Sequence, residues 1–192
     1  YDVPPTSNAN YGWILNMVSK LSSNGVAGFI LANGALSADG TEGEIRRKMI
    51  ERGLVEAIVI LPRNLFYSTD ISVTLWILNA NKKARVVYRN EEEIHYRDRE
   101  KEILFIDMRQ MGKPFEKKYV RFTDENIRKV ADTYHNWQRE GHTETYTDMP
   151  EFCKSVSMDE EGGIADKGFS LVPSKYLSLI HISEPTRPLY IS

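Results

Sequence analysis

A polar loop in the first half of the chain carries two adjacent large aromatic residues. The segment LPRNLFYSTD, residues 61–70, lies between the apolar stretches LVEAIVI and ISVTLWIL, with Phe66 and Tyr67 at its centre. Loop aromatics usually fold back onto the core, but a ring presented at the surface offers a flat face to a bound ligand. The sequence leaves both interpretations open for Phe66 and for Tyr67.

The residue types that carry most enzyme chemistry are sparsely placed. The four histidines have no partner at a metal-ligand spacing such as i, i+4, and no grouping of Ser, His and Asp predicts a nucleophile. The glycines of NGALSADGTEG fit neither GxGxxG nor a phosphate-binding loop. The segment DVPP differs from the Asp/Asn-Pro-Pro-aromatic turn of amino-group methyltransferases, because Val3 intervenes and Thr6 is not aromatic. We predict no metal site, and spacing alone identifies no catalytic residue.

Composition is that of an ordinary globular protein. The 192 residues are 41% hydrophobic and 27% charged, which fits one domain with a real core. The single Cys153 excludes an internal disulfide. No apolar run of about 18 residues and no signal peptide is visible, so we expect a cytoplasmic protein. With 25 basic and 27 acidic residues the net charge is −2, so any nucleic-acid contact must be local or shared with a partner.

Hydrophobic periodicity predicts the elements that must position the loop. Amphipathic helices are expected at residues 8–25, 42–53 and 123–141, and short apolar strands at residues 26–32, 54–61, 71–78 and 103–109. The first helix should stop at Asn24-Gly25 and the third at Gly141, with Thr123 as the cap of the third. The expected apolar face of the third helix consists of Ile127, Val130, Ala131, Tyr134 and Trp137.

The alternation of helices and strands predicts an α/β domain with a largely parallel sheet, whose strand at residues 26–32 is buried on both faces. Only nine residues, 62–70, join the next two strands, which is too short for a parallel crossover. We therefore expect an antiparallel hairpin at one end of the sheet. A sheet with so few strands has a half-built core, so we expect the chain to begin in the middle of a domain.

Three further segments have weaker signals. Asn33 and Gly34 end the first strand, where ligands of open α/β sheets collect, although a plain turn explains them as well. Residues 81–102 are highly charged and predict a solvated ribbon or insertion. The segment SMDE, Ser157 to Glu160, has the spacing of a capping box and predicts a short helix.

Several collinear segments resemble one family. VPPTSNANYGWILNMVSKL, GFILANGALS, GEIRRKMIERGLVEAIVILPRNLFYSTDISVTLWILN, ILFIDMR, FTDENIRKVADTYHNW and EFCKSVSMDE together resemble the modification (M) subunit of type I restriction-modification systems, an adenine-N6 DNA methyltransferase family. The resemblance runs from residue 1 to about residue 176. It implies a partial class I, Rossmann-like methyltransferase sheet that ends in an antiparallel hairpin and is followed by a helical C-terminal region.

The resemblance also implies which parts of the enzyme are elsewhere. The glycine-containing turn that binds S-adenosylmethionine and the catalytic Asn-Pro-Pro-Phe turn would both precede Tyr1. We therefore expect no catalytic and no cofactor-binding residue in this chain, and no activity of the chain alone. The partners implied are DNA, the specificity subunit and the restriction subunit.

The family's chemistry gives the aromatic loop a role. An adenine methyltransferase extrudes its target base from the duplex, and the flipped base is held between aromatic or apolar side chains. Phe66 best fits the position of the stacking residue, with Tyr67 as the second candidate and packing beneath the hairpin as its alternative. Relatives often have glycine where this chain has Asp70, so a positive φ is expected to strain the backbone there.

Residues near the first helix fall at the rim of the implied active site. Asn8, Asn10 and Tyr11 lie in the stretch that links the catalytic turn to that helix, although helix capping explains the two asparagines equally well. Asn33 and Gly34, at the end of the first strand, complete the expected rim.

The resemblance divides the chain into three parts. Residues 1–112 correspond to the second half of the catalytic domain, and residues 113–176 to a C-terminal helical region that contacts the partner subunit. Residues 177–192 contain SLIHISEPTR, which resembles the translation of a transposase-type sequencing adapter, so we interpret this tail, with His181, as read-through. The alternative function is a non-catalytic interaction module in which the third helix and the region near Cys153 dock a partner.

Overall fold

A computed structural model describes residues 1–177 as a mixed sheet with helices on both of its faces. The helices are α1 (Asn10–Lys20), α2 (Gly40–Glu51) and α3 (Asp124–Gln138), and 3-10 turns form at Asn33–Leu36 and Pro173–Lys175. The strands are β1 (Val26–Ala32), β2 (Val55–Ile60), β3 (Val73–Asn79), β4 (Arg85–Arg89), β5 (Glu92–Tyr96), β6 (Glu102–Asp107), β7 (Lys113–Phe115), β8 (Tyr119–Arg121) and β9 (Cys153–Ser157). The three helices and four strands predicted from periodicity are confirmed, and the fold is mixed α/β. The adapter interpretation of the tail and His181 fall on residues 178–192, which lie outside the described residues.

The main sheet has the strand order β1-β3-β2-β6-β9. β2 and β3 pair antiparallel, which confirms the predicted hairpin. The predicted largely parallel sheet is wrong, because β2 with β6 is the single parallel pair among residues 1–177. The reason is the placement of β3: it returns between β1 and β2, which run in the same direction, so both of its pairings are antiparallel. The hairpin is consequently inside the sheet and not at its end.

β1 is an edge strand in the described part of the chain, and it is not buried on both faces as predicted. Its residues alternate between exposed and half-buried along the strand. β3 covers one side of it, and nothing among residues 1–177 pairs with the other. An unbroken apolar run therefore does not guarantee burial when the strand has a single neighbour.

Alternate residues of the central strands feed two hydrophobic cores, one on each face of the sheet. In β2, Ile58 points into core A and Val59 into core B, so the whole strand is buried. Core A lies under α1 and α2 and includes Tyr11, Ile14, Ile45, Met49, Ile50, Trp76 and Phe105. Core B lies under α3 and includes Leu61, Val73, Leu104, Ile106, Trp137 and Cys153. No helix within residues 1–177 has both the length and the apolar character needed to cross a bilayer.

Two helices end earlier than predicted. α1 ends at Lys20 because Leu21 is already extended, well before Asn24-Gly25. α3 begins with the predicted Thr123 cap, but it ends at Gln138 because Arg139 is extended and bridges to Tyr96 of β5. In both cases an extended residue stops the helix before the glycine does.

The predicted apolar face of α3 is only partly buried. Trp137 is buried and Val130 and Tyr134 pack against core B, whereas Ile127, one turn from the helix start, is 55% exposed.

The region after residue 112 is less helical than predicted. It contains α3, but β9 pairs antiparallel with β6 and adds a strand to the main sheet. The short helix predicted at residues 157–160 does not form: Ser157 is the last residue of β9, and the chain bends over the next three residues. The Ser157 N–H donates to Glu160 Oε1 over 3.0 Å, so the side-chain contact of a capping box forms within a turn. The boundary between residues 112 and 113 stays a prediction.

The charged segment at residues 81–102 forms the predicted solvated ribbon, the exposed hairpin of β4 and β5. Its ends carry a buried charge cluster that the sequence did not reveal. Glu56 of β2 is completely buried and accepts hydrogen bonds from four side chains at 2.8–3.3 Å: Asn79, Arg99, Tyr134 and Gln138. Both carboxylate oxygens are satisfied, which is what a buried charge requires. This Glu56 cluster joins the sheet, the ribbon and α3.

Lys82 lies beside the Glu56 cluster and is almost completely buried. Its ammonium donates to Val55 O over 2.8 Å and to Glu102 O over 2.6 Å. Burial lowers the pKa of Lys82 to about 8, an effect that the nearby Glu56 carboxylate opposes. The free energy of unfolding must therefore depend on the protonation of this one side chain.

We predict that replacing Lys82 by Met removes a pH-dependent part of the stability. Since the pKa is about 8 in the folded chain and 10.5 as the ordinary value, the unfolded chain binds the extra proton between these pH values, and wild-type stability rises with pH across that window. Measured by urea unfolding, the wild type should gain roughly 3 kcal/mol relative to Lys82→Met between pH 8 and pH 10.5.

Lys83→Met is the matched control, because Lys83 is exposed and adjacent in sequence. A difference between wild type and Lys82→Met that stays constant from pH 8 to pH 10.5 would contradict the lowered pKa.

Candidate functional site

Three chain connections meet at one edge of the sheet. β1 and β2 are each antiparallel to β3, and β6 is parallel to β2, so β1, β2 and β6 all run in the same direction. Their carboxyl ends form one edge, which we call the carboxyl edge. It carries the 3-10 turn Asn33–Leu36 after β1, the aromatic loop at residues 61–72 after β2, and the segment after Asp107. Open α/β sheets bind ligands at such an edge.

The aromatic loop is closed at its base by hydrogen bonds. The Leu61 N–H donates to Val73 O over 2.9 Å, and the Ser72 hydroxyl donates to Leu61 O over 2.6 Å. Asn64 has a positive φ of 57° and accepts a hydrogen bond from Val120 N–H over 3.0 Å. The loop is thus tied to β3 at its ends and to β8 near its middle.

The two aromatic residues of the loop have different surroundings. Phe66 is half-buried and packs against core B. Tyr67 is 69% exposed; its ring lies 4.7 Å from that of Tyr119, edge to face, and its hydroxyl donates to Glu116 Oε1 over 3.4 Å. Tyr67 therefore does not pack beneath the hairpin. Phe66 combines partial core packing with partial exposure.

Asp70 does not have the positive φ that its place in the loop led us to expect. The residue of this loop with a left-handed backbone is Asn64, and Asn adopts that conformation more readily than most residues. Asp70 instead lies next to Arg63, whose Nε donates to Asp70 O over 3.2 Å. The loop accommodates aspartate without backbone strain at that position.

The predicted rim residues around α1 serve its start and its packing. Asn8 Oδ1 accepts a hydrogen bond from Asn10 N–H over 3.0 Å just before the helix, whose N-cap residue, Ala9, makes no side-chain cap. Tyr11 is fully buried, and its hydroxyl donates to Ala35 O over 2.6 Å, in the 3-10 turn that follows β1. Burial raises the pKa of Tyr11, with the neighbouring Arg46 acting in the opposite direction.

The other predicted rim residues lie in that same 3-10 turn. Asn33 Oδ1 accepts a hydrogen bond from the Thr74 hydroxyl over 2.6 Å, which ties the end of β1 to the start of β3. Gly34 is exposed, with open space around its Cα. The structure thus brings Tyr11 to the turn of Asn33 and Gly34. Phe66 contacts core B, and Tyr67 contacts β8. Both lie on the other side of β3 from that turn.

Sequence reasoning missed one neighbour of the aromatic loop. β7 and β8 form a short antiparallel ribbon, residues 113–121, whose Tyr119 contacts Tyr67. Its sequence, KPFEKKYVR, mixes basic and aromatic residues, and that mixture was the available signal. We call it the basic ribbon.

The chain is similar in sequence to known proteins over most of its length. Residues 1–185 match the sequence profile of the N-6 DNA Methylase family. The chain is 39% identical over 178 residues to the HindI type I restriction enzyme methylase subunit of Haemophilus influenzae, covering 92% of this chain and 35% of that protein. It is 36% identical over 177 residues to the MjaIX methylase subunit of Methanocaldococcus jannaschii, covering 92% and 29%. The chain thus spans about a third of the length of these relatives.

Solved structures show the same fold. The type I restriction-modification methyltransferase subunit of Streptococcus thermophilus superimposes with a TM-score of 0.73 at 24% identity, covering 93% of this chain and 32% of that one. A structure from a study of type I restriction-modification complex assembly gives 0.61 at 17% identity, covering 96% and 35%.

We predict that Tyr11→Phe destabilises the chain although it removes a single oxygen. The change leaves the carbonyl of Ala35 without its buried donor, at a cost of about 1–3 kcal/mol in the free energy of unfolding. Tyr88→Phe is the control, because it removes the same oxygen from an exposed tyrosine of the β4–β5 hairpin, whose hydroxyl donates to Glu93 Oε2. Urea unfolding that shows equal losses for the two variants would refute the structural role of Tyr11.

Proposed function

The chain belongs to the N-6 DNA methylase family, among the methylase subunits of type I restriction-modification systems, and from this premise we propose that it forms part of a longer enzyme. The enzyme transfers a methyl group from S-adenosylmethionine to N6 of adenine in duplex DNA. It acts in the cytoplasm with a specificity subunit, which selects the sequence, and with a restriction subunit.

The length comparison and the sheet support the proposal that different parts of the enzyme's sequence carry different functions. The chain spans about a third of its curated relatives. Its sequence contains neither a GxGxxG turn nor an Asn-Pro-Pro-aromatic turn. We propose that cofactor binding and methyl transfer belong to other residues of the enzyme, and that this chain alone is inactive. S-adenosylmethionine therefore has no residue assigned to it here.

β1 supports the proposal that the sheet is part of a Rossmann-like methyltransferase sheet. Its outer side has no partner strand among residues 1–177, and the Val26 and Ile30 side chains are 57% and 45% exposed. Apolar residues on an unpaired edge favour the addition of a further strand. We propose that the remaining strands of the catalytic domain add at this edge.

The observation that carries the proposed role of the chain is the aromatic loop at the carboxyl edge. A base rotated out of a duplex leaves its stacking partners and must be held by new ones. The loop is fixed to β3 and β8, and Phe66 keeps part of its ring exposed while the rest packs on core B. We propose that Phe66 stacks on the extruded adenine and that Tyr67 lines the approach to it.

The five rim residues fit a supporting role. Tyr11 and Asn33 hold the 3-10 turn through hydrogen bonds to Ala35 and from Thr74. That turn presents Gly34 to solvent, with no non-neighbouring atom within 4 Å of the place a Cβ would take. We propose that Asn8, Asn10 and this turn form the far wall of the base pocket, on the other side of β3 from Phe66.

The reaction itself is tested with the complete subunit bound to its specificity subunit. With S-adenosylmethionine carrying a labelled methyl group, we expect the label in N6-methyladenine after digestion of the DNA to nucleosides and mass spectrometry. Label found in cytosine, or no transfer to DNA by a complex that binds both substrates, would exclude the proposed activity.

We predict that Phe66→Leu weakens binding of a duplex whose target adenine is unpaired. Leucine keeps the apolar contact with core B but lacks the ring face, and one base–aromatic stack corresponds to about 1–3 kcal/mol. Fluorescence anisotropy should show roughly a 5- to 150-fold loss of affinity for the duplex and no change in S-adenosylmethionine binding.

Phe169→Leu is the matched control, because Phe169 is also half-buried but packs against core A on the opposite face. If Phe66→Leu and Phe169→Leu bind the duplex with equal affinity, the stacking role is wrong. If Tyr67→Leu alone loses affinity, stacking belongs to Tyr67.

A further inference from the structure

The basic ribbon concentrates positive charge that the rest of the chain lacks. Residues 113–121 contain four cations and one acid, a local charge of +3, whereas the whole chain has −2. All four cations, Lys113, Lys117, Lys118 and Arg121, are exposed. Because the whole chain has no excess of positive charge, a nucleic-acid contact must rely on a local one, and the basic ribbon provides it.

The four ribbon cations have no acidic partner in the described part of the chain, in contrast to several cations packed against the sheet or its helices. Elsewhere Arg47, Lys48, Arg97, Arg99 and Arg109 pair with carboxylates at 2.6–3.2 Å. Among residues 1–177, none of the four ribbon cations forms an ion pair. The one ribbon acid, Glu116, instead accepts the hydrogen bond of Tyr67. The positive charge of the four ribbon cations is therefore available to an anionic ligand.

The ribbon is held in a defined position against the aromatic loop. The Val120 N–H donates to Asn64 O over 3.0 Å, and the Tyr119 ring meets that of Tyr67. Gly112 enters the ribbon with a φ of +103°, and a side chain there would collide with Val120. The fixed contacts set the distance between the ribbon and the loop, so both can meet one ligand at once.

Aromatic rings lie between the cations. Lys118 lies over Tyr119 at 5.1 Å and Arg121 over Phe115 at 5.6 Å, measured to the ring centroids. A groove between the loop and the ribbon is lined by Leu65, Tyr67, Phe115, Tyr119, Arg121 and Phe122. Cations with interleaved aromatic rings suit a polymer that carries phosphates and flat bases.

We propose that the basic ribbon binds the phosphate backbone of DNA next to the base held by the aromatic loop, a contact that rests on the proposed function. Lys117 and Lys118, at the turn of the ribbon, neutralise phosphates and release counterions. Tyr67 and Tyr119 face the sugar and base side of the same strand. Phosphate contacts of this kind position a duplex without reading its sequence.

The test removes two ribbon charges from the complete subunit with its specificity subunit. Lys117→Gln with Lys118→Gln is compared with Lys20→Gln and Lys83→Gln, an equal charge change on exposed residues at the opposite edge of the sheet. The probe is a labelled short duplex of random sequence, titrated by anisotropy from roughly 50 to 200 mM KCl. Thermal melting of both variants verifies that each is folded.

The expected result is a change in salt dependence confined to the ribbon variant. Each phosphate contact contributes about 0.9 to the slope of log affinity against log salt, so the slope should fall by roughly 2 and the affinity at least about tenfold. Equal slopes for the ribbon and control variants would overturn the proposal. So would an unchanged duplex affinity accompanied by lost binding to poly-glutamate or to the specificity subunit, since the ribbon would then serve an acidic protein surface.

Failure of the ribbon proposal can be distinguished from failure of the proposed function. A wild-type complex that methylates adenine while the ribbon variant keeps its salt slope defeats the ribbon proposal alone. A wild-type complex that binds the duplex through the ribbon but transfers no methyl group to adenine defeats the proposed function alone.

Discussion

The carboxylate of Glu56 is the constraint on which the arrangement of the other elements depends. A completely buried charge is stable only when every lone pair has a partner, and here the partners come from β3, the segment after β5 and α3. Moving any of these elements removes at least one hydrogen bond from the buried carboxylate, at a cost of about 1.5–3 kcal/mol for each bond. The Glu56 cluster therefore fixes the register of three elements that are distant in sequence, in addition to the stability that cores A and B provide.

The Glu56 cluster lies at the start of β2, and the candidate site lies beyond its end. One edge of the sheet is thus held by buried hydrogen bonds, while the carboxyl edge carries the 3-10 turn, the aromatic loop and the basic ribbon. A strand only six residues long separates the two edges. Because the amino edge restrains the sheet, the loops at the carboxyl edge can expose Tyr67 and the ribbon cations without the support of a core of their own.

Local patterns predicted the elements, and long-range pairings decided what the patterns could not. The helix over residues 42–53 and the β2–β3 hairpin followed from periodicity and loop length, both local properties. The direction of the sheet did not, since it depends on β3 inserting between β1 and β2. Of the site, the position of Phe66 and Tyr67 in one loop was predictable, but their different exposure depends on β8, a partner more than fifty residues away. No local pattern predicted the Glu56 cluster, because the sequence around a glutamate does not show whether its carboxylate is buried or solvated.

The edge of β1 that has no partner strand among residues 1–177 also bears on how the chain behaves when it is made apart from any partner. The outer side of this strand offers a row of backbone donors and acceptors without an inward-pointing charge or a proline to block pairing. Neighbouring copies can add to such an edge strand by strand, so self-association competes with correct assembly at high protein concentration. Covering β1 with a short strand-forming peptide is therefore expected to raise the solubility of the isolated chain.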